Sequence, residues 1–226
     1  MRVSGLGIEG EGMGIGGVVA LCGNRAVFPL TAEEFMLGRT LIRRYHMNGV
    51  SIKFIGRGFV DKPYKKIHSA LAPLYVKSRV FRPFYYFLMA ARTVANVRSR
   101  FVEVRELGYV DVAYRVDGSM VRVEVDASSL RCSRYFVANE LSGRLFTKLL
   151  VDGRDIGRIP PWIDLDCDEL ELFSPTLKLG MKLRRVAGCK LLAGREVLGE
   201  RLDWAGASYQ PNTRRFSYEV VFKQHD

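Results

Sequence analysis

The chain has 226 residues, 48% of them hydrophobic and 26% charged, with a formal net charge of +11. That length and apolar content suffice for a large buried core and exclude wholesale disorder. The longest apolar run, Pro83 to Ala91, is about half of the roughly 20 residues that a membrane-crossing helix needs.

The charge is regional. Residues 1–38 sum to −2, residues 39–100 to +13 and residues 101–226 to zero, because fourteen Lys or Arg face the single acid Asp61 in the middle stretch. The opening is glycine-rich, with Gly5, Gly7, Gly10, Gly12, Gly14, Gly16 and Gly17. It lacks the basic head and apolar stretch of a signal peptide, so a cytoplasmic location is expected. Val18 to Cys22 and Ala26 to Phe28 read as strands of a hairpin around Gly23-Asn24. Thr31 stands three residues before Glu34, the capping-box spacing. With Phe35, Leu41, Ile42 and Tyr45 as an apolar face and Asn48-Gly49 as a stop, it predicts a helix over about 32–46.

Val50 to Ile55 alternates as a strand does. Tyr64 to Leu71 suggests a short helix, and Pro83 opens a longer one to about Arg98. On that second helix Phe84, Phe87, Leu88, Ala91, Val94 and Ala95 share a face, and Tyr85, Tyr86 and Met89 widen it, which predicts a mostly buried helix.

From Phe101 the apolar period becomes two. Val110, Val112, Tyr114 and Val116 alternate with polar residues, and Val121, Val123 and Val125 resume the phase after Asp117-Gly118. A two-residue turn there would pair Tyr114 with Val121, Val112 with Val123 and Val110 with Val125, leaving Asp111 opposite Glu124. Asp152-Gly153 repeats the hairpin pattern between 145–151 and 154–159. Leu177, Leu179, Met181 and Leu183, then Phe216, Tyr218, Val220 and Phe222, mark two further strands.

These elements predict a β-rich α+β fold: an antiparallel β-sandwich or barrel with a helical segment, about 32–98, packed on one face or end. The organisation expected is a single domain over 1–226, with 60–100 a basic helical insertion and 101–226 an antiparallel β region. Cys22, Cys132, Cys167 and Cys189 are far apart and form no C-x-x-C pair, so buried free thiols are expected, with one or two disulfides as the alternative. Five Asn and two Gln in the whole chain suit a thermophile.

Chemical motifs are weak throughout. Gly12 to Gly17 formally spells G-x-G-x-x-G, but a strand-like segment follows where a dinucleotide fold needs a helix, so a glycine-rich strand or bulge is the better reading and no cofactor is assigned. Glu9 and Glu11 would share one face of an extended segment, as paired carboxylates for acid–base work do. Asp164, Asp166, Asp168, Glu169 and Glu171 start like a calcium loop but miss its Gly and terminal Glu; they read as a solvated face or a balance to the basic stretch, and no metal is assigned. Of the three histidines, His46 suits a helix C-terminus, His225 a frayed tail, and His68 lies within the basic stretch.

That stretch interleaves cations with aromatics, which suits phosphates and bases or another polyanion. Arg57, Lys62, Lys65, Lys66, His68, Lys77, Arg79 and Arg82 are the candidate anion-binding residues. The first functional reading is therefore binding of an anionic partner, nucleic acid or another polyanion, through residues 39–100. A second is an enzyme or binding domain holding a small anionic or sugar-like ligand in a cleft of the β-structure. A third is a structural or interaction protein whose aromatic, basic helices dock on a partner or a second copy. Peripheral membrane contact is disfavoured, because a helix apolar all round belongs in a core. The sequence supports no assignment of a reaction or an oligomeric state.

Overall fold

The computed structural model describes residues 14–22, 25–29, 31–47, 50–54, 71, 74–95, 99–103, 107–198 and 202–226. Seventeen strands and one helix of fourteen residues account for most of them. In chain order the strands are β1 (Ile15–Cys22), β2 (Arg25–Phe28), β3 (Thr31–Leu37), β4 (Thr40–His46), β5 (Val50–Phe54), β6 (Ser99–Glu103), β7 (Tyr109–Asp117), β8 (Met120–Asp126) and β9 (Arg134–Ser142). There follow β10 (Lys148–Val151), β11 (Arg154–Arg158), β12 (Ile163–Leu165), β13 (Glu169–Ser174), β14 (Leu179–Arg184), β15 (Cys189–Leu198), β16 (Leu202–Pro211) and β17 (Arg215–Gln224). The helix, α1, spans Arg82–Ala95 and is preceded by a helical turn at 74–77.

The strands form two open antiparallel sheets. One has eight strands in the order β12-β15-β16-β9-β1-β2-β5-β6, the other nine in the order β11-β10-β13-β14-β17-β8-β7-β4-β3. Alternation decides which side chains meet between them. Val18, Ala20, Val137, Ala205, Ala207 and Leu191 come from the first sheet; Val112, Val123, Val220, Leu183, Leu172 and Leu149 come from the second, and all are buried. This is the β-rich sandwich the alternating segments predict, with neither sheet closing on itself. No helix among the described residues is long and apolar enough to cross a membrane.

Residues 31–46 are a β-hairpin, not the expected helix. Gly38 sits in the turn with φ of +60°, where a helix would have lost about 1 kcal/mol to a mid-helix glycine. The acid pair Glu33-Glu34 lies directly opposite the base pair Arg44-Arg43, and Arg43 donates from Nε to Glu34 at 2.7 Å. Cross-strand charge pairing of this kind supports the hairpin and outweighs the local capping signal. The helical part of the segment expected at about 32–98 is confined, among the described residues, to residue 71, 74–77 and α1; the helix expected over 64–71 falls mostly outside them.

The β7–β8 hairpin forms in a different register from the expected one. Gly118 and Ser119 make the turn, so Asp117 pairs with Met120, Val116 with Val121, Tyr114 with Val123 and Val112 with Val125. The slip is two residues, which keeps every valine on its expected face, since side-chain period is also two. Asp111 is consequently opposite Asp126 rather than Glu124, and Arg44 compensates it through two hydrogen bonds of 2.7 and 2.8 Å. The β10–β11 hairpin matches expectation: Asp152 and Gly153 both have positive φ, 48° and 73°, as a two-residue I′ turn requires.

Cys22 and Cys132 form a disulfide, a departure from the expected free thiols. Their Cα atoms come within 4.9 Å because the end of β1 and the loop after β8 meet beside the core. Cys167 and Cys189 are free.

Candidate anion-binding surface

Strand β11 is an outer strand of the nine-stranded sheet, and the segment 74–82 packs along it. Tyr75 anchors the contact. It is fully buried, its hydroxyl donates to the Arg158 carbonyl at 3.1 Å, and it lies 3.0 Å from the Tyr86 hydroxyl. The Arg82 guanidinium lies over the Tyr75 ring at 5.5 Å and donates from Nε to the Tyr75 carbonyl. Gly157 makes room for it: a β-carbon at this residue, whose φ is +96°, would stand 3.1 Å from Arg82 Nη1.

Cations from the β half converge on the same end. Arg195 grips Asp203 with two hydrogen bonds, and Arg144 and Arg158 act on the same carboxylate; the Arg195 hydrogen bond leads in holding Asp203 below the usual carboxylate range. Lys148 donates to Asp155 at 2.9 Å, and with the Gly157 amide and the charge of Arg79 it lowers that acid too. Five cations thus act on two carboxylates. Arg82, oriented by a carbonyl and a ring, and the exposed Arg154 lie beside them.

The helix presents an unexpected face. Among its described side chains Tyr85 is buried, whereas Phe84 and Phe87, expected inside, are 50% and 69% exposed. Tyr75, Tyr85 and Tyr86 pack together, with ring centroids 5.0 and 5.8 Å from Tyr75. The edge of β11 offers a carbonyl that a phenol can use and a phenyl ring cannot. Tyr75 takes the Arg158 carbonyl and Tyr86 bonds Tyr75, so these tyrosines turn in while Phe84 and Phe87 are left exposed.

Arg79 and Arg82 are thus at the β11 edge, and Lys77 is on the same segment. Arg57, Lys62, Lys65, Lys66 and His68 lie outside the described residues, as do Glu9 and Glu11. Arg39, Arg43 and Arg44, also from the basic stretch, belong to the β3–β4 hairpin at the opposite edge of the nine-stranded sheet, where Arg43 and Arg44 are bound to Glu34 and Asp111. The charge surplus is therefore divided in space. Sequence reasoning missed Arg144, Lys148, Arg154, Arg158 and Arg195, because their neighbours include enough acids to bring residues 101–226 to zero net charge.

Lys77 also borders a groove of about 560 Å³ with Val76, Leu165, Arg185, Cys189 and Lys190. Arg185 pairs with Asp166 at 2.9 Å and Lys190 approaches Asp164 at 4.0 Å. Burial pushes the Cys189 thiol up to about 11, which makes it a poor nucleophile at neutral pH.

The remaining candidates have structural partners. Glu169 pairs with Lys182 and Arg184, and the buried Glu171 with Lys182 and His225. No three His, Cys, Asp or Glu among the described residues converge as metal ligands would. His225 is docked rather than frayed, with its backbone amide on the Lys178 carbonyl and its ring against Phe173. His46 ends a strand instead of a helix, 3.3 Å from Glu33. Gly16 is the expected bulge, its φ of +74° shifting the β1–β9 register under the Tyr114 ring.

No protein-family model and no curated protein matches the sequence. Among solved structures, the chain is similar to the Slr1438 protein from Synechocystis sp. PCC 6803, at 10% sequence identity and a TM-score of 0.37, over 92% of this chain and 75% of that one.

Proposed function

We propose that the protein binds an anionic polymer, single-stranded nucleic acid foremost, on the surface made by segment 74–82, the start of α1 and the β10–β11 hairpin. One observation carries this reading: Arg79 and Lys148 act on Asp155 while Arg158 and Arg195 act on Asp203, and the helix that begins at Arg82 exposes the rings of Phe84 and Phe87. Cations neutralise phosphates and release their counterions, and exposed rings stack on bases of any identity.

The test is fluorescence anisotropy of a labelled, mixed-sequence single-stranded oligonucleotide titrated with the full chain across a salt series. Four neutralised phosphates would weaken binding about fifty-fold between about 50 and 200 mM salt. An affinity that does not change with salt would overturn the proposal.

The groove beside Lys77 favours a second reading, a small anionic ligand held by Lys77, Arg185 and Lys190 over an apolar floor of Val76, Leu165 and Leu191. Saturation by inorganic phosphate or a small dicarboxylate, lost in Lys77→Glu and kept in Arg158→Glu, separates it from the first.

A further inference from the structure

Cys167 and Cys189 are free thiols, and β12 and β15 bring them together. These strands pair antiparallel, with Ile163 opposite Ala193 and Leu165 opposite Leu191. Two further steps along that register set Cys167 opposite Cys189, on the side of the buried Leu165 and Leu191. Opposed residues of an antiparallel pair have Cα atoms about 4.5 to 5.5 Å apart, within the range of about 4.4 to 6.8 Å that a disulfide spans.

The chain path points the same way. The Asp168 carbonyl accepts the Arg185 amide at 2.8 Å and Leu165 is held at Leu191, so Cys167 is bracketed from both sides against the 185–191 turn. The Cys189 amide bonds the Val186 carbonyl at 3.0 Å, so the backbone ladder ends before this pair and its side chains can approach without breaking it. Burial, then Cys189 and Cys167, raises the Tyr209 hydroxyl above its ordinary range, which puts both thiols near one phenol. Cys167 is buried, whereas Cys189 is half-buried and borders the groove of about 560 Å³ beside Lys77.

We infer that Cys167 and Cys189 form a second, reversible disulfide, made by exchange with a small-molecule disulfide that enters through that groove. Cys189 gives its proton to solvent, and its sulfur attacks one sulfur of oxidised glutathione; the other leaves as a thiolate and takes up a proton. The Cys167 thiolate then attacks Cys189 Sγ and the second glutathione leaves in the same way, so the two protein thiols lose the two electrons that the glutathione disulfide gains. The fold already holds one disulfide, Cys22–Cys132. The new bond ties the crossover between the sheets, from β12 to β13, to the start of β15. Because burial pushes the Cys189 thiol up to about 11, exchange is slow at neutral pH and quickens about tenfold per pH unit below that value.

Intact-mass spectrometry of the full chain, incubated at about pH 8.5 with about 5 mM oxidised glutathione and then blocked with an alkylating reagent, tests the pairing. The wild type is expected to lose the mass of two hydrogens, and a peptide map to join Cys167 to Cys189. Cys167→Ser removes the resolving thiol, so this variant stops at one glutathione on Cys189. The bond closes a short loop and raises the midpoint of thermal unfolding by about 5 °C or more over the chain with both thiols reduced. The wild-type mass and map decide the matter even where a variant folds poorly. A wild type that keeps glutathione on Cys189 without forming the bond overturns the inference. So does a chain that forms it only after denaturation, or a map that joins Cys189 to Cys22 or Cys132 instead.

Discussion

The Tyr218 hydroxyl, from β17, donates across the gap between the sheets to Asn139 Oδ1, from β9, at 2.9 Å. The same oxygen accepts the Gly16 amide, and Asn139 Nδ2 donates to the Ala207 carbonyl, so a fully buried amide is satisfied at both ends. Tyr114, from β7, makes a parallel connection by donating to the Ile15 carbonyl at 2.9 Å. Polar bonds between two otherwise apolar sheets fix how they face each other, because sliding would leave several buried groups unpaired.

Replacing Asn139 by Leu should therefore cost more than a lost hydrogen bond. It strands the Gly16 N–H and the Tyr218 O–H in the core, a loss of about 2 to 4 kcal/mol. Tyr218→Phe removes the dependent donor and leaves the other Asn139 bonds, so it should cost about 1 kcal/mol. In urea unfolding the double variant should be less destabilised than the two losses added together, since both remove the same bond.

The Cys22–Cys132 bond closes a loop across a sequence separation of 110. Chain entropy gives such a bridge at most about 5 kcal/mol. Cys22→Ala, or reduction under native conditions, should accordingly lower the midpoint of thermal unfolding by about 10 °C or more. Cys167 and Cys189, whose thiols burial pushes up to about 12 and about 11, should react slowly with a thiol reagent until the protein unfolds. Calorimetry with and without reductant, beside a thiol count in native and denaturing buffer, checks both statements.

Asp203 and Arg195 have side chains each 12% exposed, between a surface ion pair and a buried one. Asp203→Asn should cost about 2 kcal/mol at neutral pH. The folded pKa of Asp203 is lowered, so its contribution is fully present above the unfolded carboxylate range and is lost as pH falls through the folded value. The stability gap between wild type and Asp203→Asn should thus close as pH falls below the unfolded carboxylate range. A gap that widens on acidification would contradict this pairing.

Much of the sandwich was legible because alternation at Val110–Val116, Val121–Val125 and Phe216–Phe222 reports one wet and one dry face directly. The segment 32–46 reads as a helix because a capping box is a local pattern, whereas the pairing of Glu33-Glu34 with Arg44-Arg43 depends on a turn at Gly38-Arg39, and Arg44 is also held by Asp111 far along the chain. The β7–β8 register slipped because two adjacent two-residue turns preserve the same valine pattern. The cationic surface was half legible: Lys77, Arg79 and Arg82 stand out in a run, but Arg144, Arg158 and Arg195 join them only through the packing of Tyr75 on β11.

Charge and stacking at that surface should separate in measurement. Arg158 carries an exposed guanidinium that acts on Asp203 and whose carbonyl holds Tyr75, so Arg158→Glu alters the surface charge and leaves the backbone contact in place. If its side chain meets a phosphate, the variant should bind the oligonucleotide more weakly, and the slope of log affinity against log salt should flatten by about 1. Phe87, by contrast, is uncharged and 69% exposed, so Phe87→Ala should cost about 1 to 3 kcal/mol of affinity if a base stacks on it, with the salt slope kept. Gly157→Ala tests the geometry between them. Alanine strains the backbone at a φ of +96° and its β-carbon nudges the Arg82 guanidinium over Tyr75, so affinity should fall without any change in net charge. Anisotropy titrations of the three variants across the same salt series distinguish an organised binding surface, which requires all three effects, from diffuse attraction to a +11 protein, in which only the charge reversal would register.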